Sequence, residues 1–351
     1  MQYSTFAAID IGSYDVILEI FEISKKQGIR SVDKICHRME LGKDTYTLGK
    51  IRPEMEEELC RVLADFVRIM EGYRVDDYRA TASSAISEAS NSLYVLGKIH
   101  QLTGLSVTVL SNSEQRFLSY KALAAMEDNF NKIIEKGTAI LDLDGGSFQI
   151  SLFDKDALVT TQNIRMGSLR IRERLAGIQS ETEHYEEMVE ELIWNEVSSF
   201  KKMYLKDRKI ENIMLIGDVF TDSVYQNIEE KTTKIISREN FNTWYEKIIR
   251  QSPMELAVKL GIPLENASLM YPSAVIYKCL IDMMGAEHIW IPGVHMTRGI
   301  AYEYAEQMKL LKGGHNFEND ILMAAKNIGK RYAVNRPHVQ NLEMTALAMF
   351  D

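Results

Sequence analysis

Apolar and polar residues alternate from Phe6 to Ser24 on either side of the turn Asp10-Ile11-Gly12-Ser13, and this period of two predicts a β-hairpin. The same pattern returns over residues 138–153, around Asp142-Leu143-Asp144-Gly145-Gly146-Ser147. Between the hairpins the period changes. Residues 52–73 place Leu59, Leu63, Phe66 and Met70 along one face of an amphipathic helix. Residues 37–51 read as a further strand and a loop, residues 76–91 as a strand end and a helix start with Ser and Thr caps, and residues 105–110 as a short buried strand. A Ser/Asn-capped helix follows from Ser111. Beyond the second hairpin the pattern predicts helices over 181–205 and 239–260, buried strands over 210–219 and 285–294, and a closing helix over 297–311. A new helical pattern then runs to Asp351, with Ile321, Leu322, Ala325 and Ile328 apolar, and later Leu342, Thr345 and Met349.

Hairpin, strand, helix, strand, helix thus occurs twice, and a repeat of this length implies two related units. The expected organisation is a first lobe over residues 1–124, a second over 125–312 and a helical segment over 313–351. Each lobe opens with an acid-glycine turn, so a cleft between them would receive one turn from each side.

Those turns carry the candidate chemistry. Glycine permits backbone conformations that aim successive N–H groups at an anion, which makes Gly12, Ser13, Gly145, Gly146 and Ser147 a candidate phosphate cradle. A carboxylate at a strand end can hold Mg²⁺ or Mn²⁺, and the metal can bridge to phosphate; Asp10, Asp142 and Asp144 are the candidate holders. A single such turn is ordinary hairpin structure. Two copies, one at the head of each lobe, are what give the pattern weight.

The net charge of −9 argues against DNA as a partner, though not against an anion in one local basic site. Arg165, Arg170, Arg172 and Arg174 form such a cluster; it reads as solvated surface, with a polyanion contact strip as the alternative. Cys36, Cys60 and Cys279 stand far apart and read as reduced thiols. With no secretory signal pattern and no apolar run near ~18 residues, the expected location is the cytoplasm, away from membranes. No histidines fall at metal-ligand spacing, and His295 reads as structural.

The blocks AAIDIGSYDVILEI, ATASSAISEASN, VLSNSEQRFLSYKAL, AILDLDGGSFQISLF, RMGSLRIRERL and IPGVHMTRGIAYEY occur in the order of the exopolyphosphatase/guanosine pentaphosphatase (Ppx/GppA) family, which the chain resembles over roughly residues 6–312. The resemblance implies an α/β, two-lobed actin-like ATPase (ribonuclease H-like) fold with a phosphate-binding interlobe cleft. It also implies Mg²⁺-dependent removal of a terminal phosphate from polyphosphate or guanosine pentaphosphate. The tail looks like the opening of the helical, HD-like domain of longer members, and it is expected to pack on the second lobe or on another copy in a homodimer.

Departures from the family pattern cluster at the chemistry. Gln115 stands where the resemblance places a general-base Glu, and an amide cannot take a proton from water near pH 7. Glu114 is then the nearby carboxylate left for that role. Asp144 replaces a glycine of the phosphate turn, and Gln149 an acid that helps place the metal. Tyr14-Asp15 replaces Asn-Ser, Ser87 replaces a phosphate-binding Arg, and a third glycine turn is reduced to Gly217 and Thr221. Thr297-Arg298-Gly299 replaces Arg-Glu-Gly. Two readings follow: a phosphohydrolase with a rebuilt site, or a catalytically impaired nucleotide- or polyphosphate-binding regulator. A sugar or acetate kinase of the same fold fits the block order less well.

Overall fold

A computed structural model describes residues 3–126, 130–176, 185–205, 208–227, 234–311, 315 and 317–350. The first sheet contains β1 (Ser4–Ile11), β2 (Asp15–Ser24), β3 (Gly28–Arg38), β4 (Asp77–Ala82) and β5 (Val107–Val109), in the order β3-β2-β1-β4-β5. The first three strands form an antiparallel meander, and β4 and β5 run parallel to β1. Around it lie α1 (Leu41–Leu48), α2 (Pro53–Tyr73) and α3 (Asn112–Met126). The second sheet repeats the scheme with β6 (Thr138–Leu143), β7 (Phe148–Asp154), β8 (Ala157–Ile164), β9 (Asn212–Ile216), β10 (Ile235–Ser237) and β11 (His288–Trp290). Its order is β10-β11-β9-β6-β7-β8: again an antiparallel meander, again with the next strand parallel to the first. Later helices that matter here are α4 (Ser168–Leu175), α5 (Leu264–Met284), α6 (Met296–Gln307), α7 (Phe317–Arg331) and α8 (Arg336–Phe350).

Both faces of the first sheet are covered. Ala7, Ile9 and Ile11 of β1 join Val16, Leu18 and Ile20 of β2 against Leu59, Leu63, Phe66 and Met70 of α2, the helix face that the sequence spacing predicts. On the opposite face Phe6, Ala8, Phe21 and Ile23 meet Leu118 of α3 and Ile300, Ala301 and Tyr304 of α6, with Phe6 stacked on Tyr304 at 4.1 Å. The closing helix therefore returns to the first sheet, and the expected division at residues 124/125 falls inside α3. Gly299 permits the close approach of α6 to α3, because a Cβ there would lie 1.9 Å from the Leu118 carbonyl oxygen. Gly299→Ala must push two helices apart and is expected to cost about 3 kcal/mol. A thermal melt in which this variant matches wild type would contradict that packing.

Several sequence expectations change. Residues after Arg38 turn into α1 rather than extending the strand, because Leu41 is buried in the first core and the Gly42 N–H reaches the Ser13 carbonyl at 2.7 Å. Strand β5 lies at the sheet edge and is partly exposed, not buried. The predicted 239–260 helix is two, Arg238–Ile249 and Pro253–Leu260, the second restarted by a Ser252/Glu255 capping box with Pro253 in its first turn. Of the predicted 181–205 helix, residues 181–184 lie outside the described residues, and Tyr185–Phe200 is helical. Asp351 is likewise outside them.

In the tail, α7 docks on β8: the Leu158 N–H donates to Asp320 Oδ1 at 3.3 Å, and Asn327 Nδ2 donates to the Leu158 and Val159 carbonyls at 3.4 Å. No residue of α8 is buried. Among the described residues no helix is long and apolar enough to cross a membrane.

Candidate functional site

The two hairpin turns close by the same hydrogen bond. The Gly12 N–H donates to the Asp15 carbonyl at 2.9 Å, and the Asp144 N–H donates to the Ser147 carbonyl at 2.9 Å. This superposes Asp10 on Asp142, Gly12 on Asp144 and Ser13 on Gly145. The turns also touch, since a Cβ on Gly145 would lie 3.3 Å from Ser13 Cβ. Ser13 Oγ sits in a hydroxyl cluster, 2.6 Å from Tyr46 Oη and 3.2 Å from Ser84 Oγ. A Cβ on Gly146 would strike that tyrosine oxygen at 2.1 Å, so the second turn can approach α1 only as glycine.

Between the lobes lies a cavity of about 300 Å³. Asp10, Gly12, Ser13, Gln115, Asp142, Asp144, Gly145 and Asp218 all line it, so most of the predicted site residues share one space. Gly146 and Ser147 do not line it, although Asp144 does.

The carboxylates face the cavity rather than bulk water, and burial dominates their ionisation. Asp10 is pushed well above the ordinary aspartate range by desolvation and by the neighbouring Asp15, Asp144 and Asp142 charges, and its Oδ1 has no hydrogen-bond partner. Burial pushes Asp142 up to about 7, even though Ser119 Oγ donates to its Oδ2 at 2.6 Å. Burial pushes Asp218 up to about 6, opposed by the Ser273 hydroxyl and by the bonds that its Oδ1 accepts from the Thr221 N–H at 3.0 Å and from Tyr277 Oη at 3.2 Å. Burial also raises Asp144, against the opposing hydrogen bonds from its own turn.

Among the described residues no three His, Cys, Asp or Glu side chains are gathered as a ready metal-ligand group. The oxygen donors nevertheless suit a hard cation. Mg²⁺ commonly binds through one or two carboxylates, with waters and substrate phosphate oxygens completing its shell. Asp10 Oδ1 is a buried acceptor without a partner, as such a site requires. Asp144 is less available than the sequence suggests, because its Oδ1 already accepts from the Gly146 N–H at 2.5 Å and the Ser147 N–H at 2.8 Å.

Gln115 and Glu114 part company. Gln115 is buried on the cavity wall, and its Nε2 has no acceptor. Glu114 is exposed and caps α3: the Ser111 N–H donates to its Oε2 at 2.7 Å, and its own N–H meets Ser111 Oγ at 3.3 Å. Hydrogen bonds from the Ser111 hydroxyl and N–H hold its carboxyl below the usual range. Helix neighbours point about 100° apart, so Glu114 does not face the cavity and the expectation that it replaces the base is corrected. Sequence reasoning missed Asp218; an acid following the strand-end glycine Gly217 was the available signal.

The arginine cluster is not uniformly solvated. Arg165 and Arg174 are exposed, as expected. Arg172 instead forms a two-pronged ion pair with Glu40 at 2.7 and 2.8 Å and donates to Ser268 Oγ, tying the lobes together. Arg170 binds Glu88 at 3.0 Å, donates to the Gly146 carbonyl at 2.9 Å and stacks 3.8 Å over the Tyr46 ring. Tyr14 adds a third tie, donating to Asn266 Oδ1 at 2.7 Å. His295 lines the cavity at the start of α6, and burial lowers its pKa.

Two mixed α/β lobes, each contributing a glycine turn, clasp one acid-lined cavity. Residues 19–308 match the model of the Ppx/GppA phosphatase family, and the chain belongs to that family. A bifunctional 3-dehydroquinate synthase/phosphatase of Fusobacterium nucleatum subsp. nucleatum is 21% identical over 310 residues, covering 81% of this chain and 44% of that protein. Exopolyphosphatase 1 of Mycobacterium leprae is 25% identical over 144 residues, 41% of each chain. The chain thus spans less than half the length of these curated relatives. In fold it is similar to an exopolyphosphatase from Cytophaga hutchinsonii, with a TM-score of 0.77 at 17% identity over 87% of this chain and 98% of that one. A Ppx/GppA family member from Aquifex aeolicus gives a TM-score of 0.70 at 18% identity, over 88% and 99%.

Proposed function

We propose that the chain is a divalent-metal-dependent phosphatase that hydrolyses a terminal phosphoanhydride of polyphosphate or guanosine pentaphosphate. The observation that carries this reading is the convergence of Asp10, Asp142 and Asp218 on one cavity between two glycine turns. Buried carboxylates either keep their protons or are neutralised by a cation, and a phosphate approaches them more favourably with the cation between. A bound Mg²⁺ or Mn²⁺ would be held by Asp10 and Asp142 and would supply charge neutralisation at the phosphate oxygens. Ser13 and Gly145 present the turns to the terminal phosphate. Gln115 orients water through its amide. Asp218, raised by burial to about 6, accepts the proton that leaves as water attacks. The Arg172–Glu40 and Tyr14–Asn266 ties hold the lobes closed and exclude bulk water.

A second reading is favoured by the Gln115 amide at the water position and by Asp144 on the turn amides: ligand binding without turnover. The two separate in a phosphate-release assay on polyphosphate, guanosine pentaphosphate and ATP with Mg²⁺ or Mn²⁺, run beside equilibrium binding. Metal-dependent release supports the phosphatase. Saturable binding with no release supports the regulatory protein.

A further inference from the structure

The second turn presents its anion-binding donors to itself. Gly146 and Ser147 are the residues whose N–H groups a glycine turn offers to a phosphate, yet both donate to Asp144 Oδ1, at 2.5 and 2.8 Å. Asp144 and Gly145 line the cavity, whereas Gly146, packed against Tyr46 and Ser84, and Ser147 do not. The first turn provides an internal comparison. It closes through the same backbone bond, and the position equivalent to Asp144 is Gly12, which has no side chain to fold back. A second, independent feature points to an absent anion. Gln115 is 6% exposed and lines the same cavity, and its Nε2 is a buried donor with no acceptor. Buried donors are ordinarily satisfied, and an oxyanion supplies acceptors.

We infer that Asp144 is an intramolecular ligand that masks the anion site of the second turn, and that it sets the affinity of the cleft for a tetrahedral oxyanion such as phosphate. The turn's amides bind one carboxylate oxygen in place of a phosphate oxygen, so phosphate must displace Asp144 before it can use them. The inference rests on the phosphate reading of the cavity but not on turnover.

Masking differs from simple charge repulsion, and substitution separates them. Asp144→Asn removes the charge but keeps an Oδ1 that can accept both amides. Asp144→Gly and Asp144→Ala remove the acceptor itself. Inorganic phosphate is titrated calorimetrically into the full chain in metal-free buffer, with a thermal melt of each variant as a fold check. Masking predicts that the Gly and Ala variants bind phosphate at least about tenfold more tightly than wild type, while the Asn variant stays within about threefold of it. Phosphate should shift the Gly146 and Ser147 amide resonances in the Ala variant and leave them in place in wild type. An Asn variant as tight as the Gly variant overturns masking in favour of charge alone. Gly and Ala variants that fold but bind no better than wild type show that Asp144 only stabilises its turn. Wild-type phosphate release is measured separately: an active wild type with unchanged variant affinities sinks this inference alone, whereas no release and no phosphate binding by any variant sinks the proposed function as well.

Discussion

Replacing Gln115 with glutamate is expected to raise the rate of phosphate release by at least about tenfold, because it puts a second proton acceptor, beside Asp218, at the residue that orients the attacking water, and general-base catalysis ordinarily contributes 10²–10⁴ in rate. The site is already built around this residue. Gln115 is buried on the cavity wall with an unpartnered amide, whereas Glu114 is committed to capping α3. An amide can hold a water but cannot accept its proton. Asp218→Asn should act in the opposite direction, lowering wild-type release by about a hundredfold or more while leaving ligand affinity within a few-fold. The two changes should not add. Once Glu occupies position 115, loss of Asp218 matters less, since two groups that serve one proton transfer are coupled. Additive effects in the double variant would show that they serve separate steps.

The metal-free protein loses stability as pH rises from about 4 to about 7, and a divalent cation restores it. A carboxyl whose folded pKa lies above its unfolded value stabilises the fold while protonated and loses that contribution as pH climbs toward the folded value. Asp142 is raised from 3.8 to about 7 and Asp218 from 3.8 to about 6, so both titrate inside this window. For Asp142 the difference corresponds to at most about 4 kcal/mol. Lowered by burial, His295 works in the other direction, so the clean quantity is wild type compared with Asp142→Asn. In EDTA the wild-type melting temperature should fall relative to Asp142→Asn by about 2–4 °C between pH 5 and pH 8. Millimolar Mg²⁺ at pH 8 should recover part of the difference by binding the folded state. Parallel pH profiles for the two proteins, or a wild-type melt indifferent to Mg²⁺, would remove Asp142 from a cation site.

What the sequence reveals and what it hides follow from the physics of each element. Both hairpins were legible because strands that flank a turn alternate or bury in short runs, and α2 because one face meets a core while the other meets water. Helix α5 was not legible. Ala267, Met270, Ala274, Val275, Ile276, Tyr277, Leu280 and Ile281 are all buried, so it shows no polar stripe to betray its period, and Pro272, which reads as a helix breaker, sits inside it. The acids at the turns could be read from their strand-end positions. Their differences could not, since Asp144 turning back on its own amides and Asp142 receiving the Ser119 hydroxyl are facts of side-chain direction. Glu114 and Gln115 are adjacent in sequence and differ only in which way the helix turns them. Arg172 and Glu40 come from different lobes, and only the fold brings them together.

The central claim is that water attacks a phosphoanhydride in this cavity, and the most direct measurement is phosphate release in ¹⁸O-labelled water with polyphosphate or guanosine pentaphosphate and Mg²⁺. Hydrolysis gives metal-dependent release in which each phosphate carries one solvent oxygen, with the signal lost in Asp142→Asn at unchanged fold. Saturable ligand binding with no labelled phosphate, or release that survives Asp142→Asn undiminished, would contradict it.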